Sequence, residues 1–182
     1  LETLDDNAVY IKNQVGFADY YPGYGWYGTL SDIDNYSMYK LNMFTGDALA
    51  LRGTNVNVSE IIFNLSTGWN WLGYSPQITY SLNQALSNIP DGNAIYIKSQ
   101  TGFSDYYPGY GWYGTLDDMS PLLGYLINLT TATEFTYYDG GAFSGYNNEI
   151  STLEKQYDVT GIIESLDQDI FNLNIHDYEF NG

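Results

Sequence analysis

Residues 93–116 read NAIYIKSQTGFSDYYPGYGWYGTL, and residues 7–30 read NAVYIKNQVGFADYYPGYGWYGTL. The two stretches align without gaps at an offset of 86, and 20 of the 24 positions are identical; the exceptions are Val9/Ile95, Asn13/Ser99, Val15/Thr101 and Ala18/Ser104. A fainter match continues through Tyr39/Tyr125 and Leu41/Ile127. Self-similarity at a fixed offset makes the chain a tandem of modules. Within each copy the β-branched and aromatic run "AIYIKSQ" reads as a strand, and "GFSDYY" with "YGWYGTL" as two more. Tyr107-Pro108-Gly109-Tyr110 between them fits a type II turn, with Pro pre-setting φ and Gly supplying the positive φ that follows it.

Working outward from the second copy gives the whole unit. "IIFNLSTGWNWLGY" (61–74) alternates and is β-rich, so it reads as one strand. In "YSLNQALSNIPDG" (80–92), Leu82, Ala85, Leu86 and Ile89 stand at i, i+3, i+4 and i+7. That spacing predicts a short amphipathic helix, begun by Ser81 or Thr79 and stopped by Pro90 and Gly92. "GYLINLT" (124–130) closes the unit. The expected fold is mainly β with short helices, an α+β chain built of β-α-β-β-β modules of about 75 residues. Residues 53–138 hold the complete module and residues 1–52 a truncated first one.

The truncation follows from the offset. Carried back by 86, the opening strand and helix of the first copy fall ahead of Leu1, and that copy starts at its helix tail, "LETLDDNAVYIK". A module without its first strand has an open sheet edge. Residues 139–182 lie outside the repeat and read as a strand pair or hairpin, "QYDVTGIIES" (156–165) and "DIFNLNIHDYEF" (169–180). In the second of these Phe171, Leu173 and Ile175 alternate with Asn172, Asn174 and His176, a one-sided pattern. This tail is the candidate donor strand, with Phe171, Leu173 and Ile175 as the inserted side chains.

The hairpin is aromatic on both faces. In a strand Phe103, Asp105 and Tyr107 point one way and Ser104 and Tyr106 the other, and Trp112 and Tyr113 also point apart. One face must pack on the helix and the neighbouring strands, where aromatics fill a small core. The other face places Tyr where apolar surface meets water, the setting of a sugar-stacking platform or a subunit contact. The candidate glycan or subunit contacts are Tyr24 and Tyr110 at the turns and Tyr27 and Tyr113 beside them.

Composition narrows the partners. The chain of 182 residues has five Lys plus Arg against 22 Asp plus Glu, a formal charge of −17. That field repels phosphate, so nucleic acid and anionic membranes are excluded, while neutral polymers and divalent cations are not. There are no cysteines, hence no disulfide and no thiolate metal site. No apolar run approaches the roughly 18 residues of a membrane span, so no membrane insertion is expected. The chain opens at Leu1 without a charged or apolar leader, which reads as a mature or excised piece.

Catalysis has little to work with. The single histidine, His176, lies in the tail strand next to the acid Asp177, and without Cys or a second His most nucleophile and metal-hydrolase arrangements are absent. The repeated acids Asp19/Asp105 and Asp32/Asp118 would require two active sites in one small chain. No enzyme, no catalytic residue and no cofactor are expected. Calcium is the one ion the acidic loops "SDIDN" (31–35), "LDD" (116–118) and "LDQD" (166–169) admit, although none completes a spaced calcium loop. Asn35, Asn57, Asn64 and Asn128 begin Asn-x-Ser/Thr sequons, which permit N-glycosylation in a host with that machinery and agree with an extracellular glycoprotein.

The segments "NLSTGWNWLGYSPQ", "SLNQALSNI" and "AIYIKSQTGFSDYYPGYGWYGTL" resemble tandem repeats of large secreted bacterial surface proteins, in which Gly-Trp-Asn-Trp strands precede "IKSQ…F" and "GW.G.L" segments. The resemblance covers about residues 1–138 and implies an extracellular, cell-surface, multi-copy setting without supplying an activity. Two functions are therefore expected of this acidic, aromatic-rich chain. The first is a structural subunit of a surface fibre, a homopolymeric filament joined head to tail by strand complementation between protomers. The second is a carbohydrate-binding adhesive module.

Overall fold

A computed structural model describes Leu4, residues 7–53 and 57–138, and the backbone of two later strands; side chains of 47–53 and of those later strands are not part of the description. In chain order the first module contains β1 (Ala8–Lys12), β2 (Phe17–Tyr21), β3 (Gly25–Gly28), β4 (Tyr39–Met43) and β5 (Asp47–Gly53). The second contains β6 (Phe63–Leu65), β7 (Gly68–Gly73), β8 (Tyr80–Ser81), α1 (Leu82–Ala85), β9 (Ala94–Lys98), β10 (Phe103–Tyr107), β11 (Gly111–Gly114), β12 (Asp118–Met119), β13 (Gly124–Leu129) and β14 (Thr133–Phe135). β15 (Tyr157–Ile163) and β16 (Asn172–Leu173) follow. The protein is mainly β with short helical pieces, as its alternating patterns predict.

The second module is a five-stranded antiparallel sheet in the order β11-β10-β9-β13-β7, one strand more than a β-α-β-β-β unit counts, because "GYLINL" inserts between the opening strand and β9. The helix is a single capped turn. The Ser81 hydroxyl accepts the Gln84 N–H at 3.3 Å and Gln84 Oε1 accepts the Ser81 N–H at 3.4 Å, a capping box. After Ala85 the chain tightens into three-residue turns, with Ser87 N–H bonded to Gln84 O and Ile89 N–H to Leu86 O, so the apolar stripe outlasts the α-helix.

The expected single strand over 61–74 is broken in two. Asn70, the Asn of Gly-Trp-Asn-Trp, turns inward and its side chain binds Ser66 N–H at 2.8 Å, Ser66 C=O at 2.7 Å and Gly68 C=O at 3.0 Å. It staples the corner between β6 and β7. β6 then pairs with β14 instead of extending the main sheet. Ile95 also departs from simple alternation, since the β9–β13 register slips by one residue between Asn128 and Leu129 and turns Ile95 outward while Ala94 and Ile97 stay buried. The same bulge lies between Ala8 and Tyr10 in the first module.

The first module repeats this sheet as β16-β4-β1-β2-β3. The opening-strand place, filled by β7 in the second module, is filled here by the chain's own tail: Leu173 faces Tyr39 as Leu72 faces Tyr125. β15 pairs with β5, which stands where β14 stands against β6. The two tail strands therefore pair with the first module and not with each other. Among the described residues β16 ladders two residues of β4, and β7 ladders six of β13. Phe171 and Ile175 lie outside the described residues, and so does His176.

Buried residues form two clusters, one over Leu4–Met43 and one over Val58–Tyr137. The larger is built around Leu72, Leu82, Ile97, Ile127 and the tyrosines Tyr74, Tyr125 and Tyr137, whose rings meet edge to face. Each buried phenol has a partner: Tyr137 donates to Gly73 O at 2.8 Å and Tyr74 to Ile78 O at 2.9 Å. The modules meet along β7. Ser37 bridges to Leu72, and the Gln14 side chain runs beside β7 as a strand would, donating to Trp69 O at 3.1 Å and accepting from Trp71 N–H at 2.8 Å.

Candidate functional site

The hairpin β10–β11 is shaped by its glycines. Tyr110 N–H closes the turn onto Tyr107 O at 2.9 Å with Gly109 at φ +77°, the type II geometry read from the sequence. Gly114 allows the backbones to touch: a Cβ there would stand 2.1 Å from Phe103 O, and a Cβ on Gly28 would stand 2.1 Å from Phe17 O. This closeness lets Phe103 O accept both the Thr115 and Leu116 N–H groups, at 2.8 and 3.0 Å.

One hairpin face is core. Ser104 is buried and donates to Leu116 O, and Tyr106 and Trp112 pack edge to face at 5.0 Å against the core. The opposite face is uncovered. Register places Trp69, Asn128, Tyr96, Asp105 and Tyr113 directly across from one another on β7, β13, β9, β10 and β11. Rings and polar side chains thus alternate in one straight row of about 19 Å, five strands wide. The rings are braced: Trp69 meets Tyr96 edge-on at 5.8 Å, Tyr96 stacks on Phe103 at 5.8 Å and 14°, and Tyr107 meets Tyr113 at 5.8 Å. Lys98 Nζ sits over Trp69 at 5.1 Å. The first module presents the shorter row Asn42, Tyr10, Asp19 and Tyr27, with Lys12 over Tyr10 at 4.9 Å. Three of the five basic residues of the chain, Lys12, Lys40 and Lys98, lie over aromatic rings.

Of the four tyrosines singled out by sequence, Tyr27 and Tyr113 belong to these rows. Tyr24 and Tyr110 stand at the turn tips, 80% and 79% exposed. Tyr110 also borders a groove of about 380 Å³ between the hairpin and α1. In its wall Asp91 Oδ1 accepts the Tyr106 phenol at 2.7 Å and the Gly109 N–H at 3.1 Å. The phenol bond, with the backbone N–H, holds the Asp91 carboxyl below the usual carboxylate range and raises the Tyr106 phenol. Trp69, Tyr96 and Phe103 were not singled out, because the period-2 pattern of an isolated strand does not tell which face a neighbour covers. Asp91 was not singled out either.

Among the described residues no cluster of three or more His, Asp or Glu could hold a metal. The acidic loop at 31–35 is occupied by its own backbone: Asp34 Oδ1 accepts from Tyr36 and Ser37 N–H at 3.0 and 2.6 Å, and its Oδ2 from the Ser37 hydroxyl at 2.9 Å. Asn57 caps a 3-10 turn at Val58–Glu60 and donates to Glu60 Oε1 at 3.1 Å. Asn64 is exposed on β6, Asn35 sits half-buried in a loop, and Asn128 lies inside the aromatic row. Among the described residues no helix is long and apolar enough to cross a membrane.

Comparison with protein-family models, with curated proteins and with solved structures finds no match for this chain.

Proposed function

We propose that this chain is a non-enzymatic carbohydrate-binding, adhesive module of an extracellular bacterial surface protein, binding a neutral polysaccharide along its uncovered aromatic face. The observation that carries the reading is the row Trp69-Asn128-Tyr96-Asp105-Tyr113, in which rings for stacking alternate with an amide and a carboxylate for hydroxyl groups. Rings fixed by their neighbours lose little entropy on binding. A flat row of rings and polar groups suits holding a polymer along its length. The tandem resemblance and the sequons agree with the extracellular setting. The test is retention on insoluble neutral polysaccharides: the chain is retained, and Trp69→Ala with Tyr113→Ala is not. Equal retention of the folded double variant sinks the reading.

A second reading, the surface filament, draws on the pairing of the tail strand β16 with β4. The same pairing made between two copies, by exchange of tails, would propagate head to tail. Cis pairing accounts for the tail within one chain, so this reading stands second. Electron microscopy and size-exclusion over a concentration series decide it; a monomer throughout ends it.

A further inference from the structure

We infer that the groove beneath the second module's hairpin turn is a separate site for a single neutral pyranose unit, a chain end instead of a stretch of polymer. The inference deepens the carbohydrate reading and rests on it for the ligand class, but it concerns different residues.

The groove of about 380 Å³ is near the lower end of ligand-sized cavities, room for one or two sugar rings. Its walls divide by chemistry. Tyr106, Tyr110 and Trp112 supply aromatic surface, and Asn83, Ser87 and Asp91 supply polar atoms. These polar groups are pre-set by the protein. Asn83 Oδ1 accepts the Trp112 N–H at 3.2 Å, which fixes the amide and leaves its Nδ2 donor without a partner among the described residues. Asp91 Oδ1 is taken by the Tyr106 phenol and the Gly109 N–H, and these bonds lower the carboxyl's pKa, so it stands here as a carboxylate at neutral pH. A fixed donor and a fixed anionic acceptor beside aromatic rings form the pairing that adjacent sugar hydroxyls satisfy, each hydroxyl being donor and acceptor at once. The carboxylate and the chain's net charge of −17 select against uronic acids and phosphosugars.

The first module repeats Tyr20, Tyr24 and Trp26, but α1 is the only α-helix among the described residues, and α1 with the turn that follows it brings Asn83 and Ser87 to the hairpin. Among the described residues the aromatic face therefore occurs twice and this helical wall once.

The experiment is an NMR titration of the full chain with methyl gluco-, galacto- and mannopyranosides and with short neutral oligosaccharides. One of these shifts the Trp112 indole and Asn83 side-chain amide signals at one ligand per chain, with a dissociation constant of about 1 mM. Asn83→Ala and Asp91→Asn each weaken that binding at least tenfold, and Ser87→Ala, at an exposed position with no folding role, weakens it less. If no neutral pyranoside moves these signals, or if all three folded variants bind as the parent does, the groove is not a sugar site. Polysaccharide retention measured in parallel separates the two proposals. Retention lost with Trp69→Ala while the groove stays silent overturns the groove alone; groove binding with retention indifferent to Trp69→Ala and Tyr113→Ala overturns the face alone.

Discussion

The Tyr125 phenol oxygen accepts the backbone N–H of Ser120, five residues upstream, at 2.8 Å. Tyr39, its counterpart at the offset of 86, accepts the N–H of Asp34 at 2.9 Å, again five residues upstream. Both rings are fully buried, so each copy uses one tyrosine to fill the core and to satisfy the loop entering the strand that carries it. Tyr125→Phe keeps the ring and strands a backbone donor. The expected loss is about 1–3 kcal/mol in urea unfolding. An unchanged midpoint contradicts the assignment.

Burial pushes the Tyr125 phenol up to about 12 and raises Tyr74 and Tyr137 further, desolvation being the first cause in each. The folded protein thus holds these protons more tightly than the unfolded chain, whose tyrosines titrate near pH 10. The resulting stability is present in full below about pH 10 and is lost as pH rises through 12. Absorbance of tyrosinate at 295 nm should rise in two stages, the later one coinciding with loss of the near-UV circular dichroism signal. A single early stage with the fold intact argues against buried phenols.

Gly114→Ala drives a methyl group against Phe103 O and opens the contact that both following N–H groups share. A cost of about 2–3 kcal/mol is expected, and Gly28→Ala should show the same in the first module. Proton exchange at Thr115 and Leu116 reads the effect locally: faster exchange in Gly114→Ala, with Thr29 and Leu30 unaffected.

The Asp91–Tyr106 bond is testable without unfolding. In a carboxyl NMR titration Asp91 should have its midpoint below the ordinary aspartate range, and Tyr106→Phe should return it upward because the phenol is the leading cause of the depression. No movement in Tyr106→Phe assigns the depression to the backbone instead.

Residues 57–138 should fold alone. Among the described residues every member of the larger buried cluster lies within Val58–Tyr137, so excision leaves that cluster whole. A dispersed amide spectrum and a cooperative melt are expected, and a spectrum without dispersion contradicts it.

Much of this architecture was legible in the letters because duplication doubles every signal. The Pro-Gly turn, the Ser81 cap and the alternation of β10 and β13 follow from local chemistry alone. What the sequence concealed depends on contacts across the sheet. The corner after β6 needs the Asn70 side chain to fold back on Ser66, an event that alternation cannot register. The bulge at Ile95 needs the partner strand. Tyr27 and Tyr113 were found as surface rings because hairpin tips expose what they carry, whereas Trp69 and Tyr96 become a row only when β13 inserts between their strands. The groove depends on Asn83 of α1 meeting Trp112 of β11, 29 positions on.

Gln14 gives the fold a consequence of another kind. By clasping both the carbonyl of Trp69 and the N–H of Trp71, one side chain hems the outer border of the second sheet. Trimming that hem to alanine would expose a bare selvedge rich in tryptophan, and the cost would register less in melting temperature than in solubility, as separate molecules fray into one another.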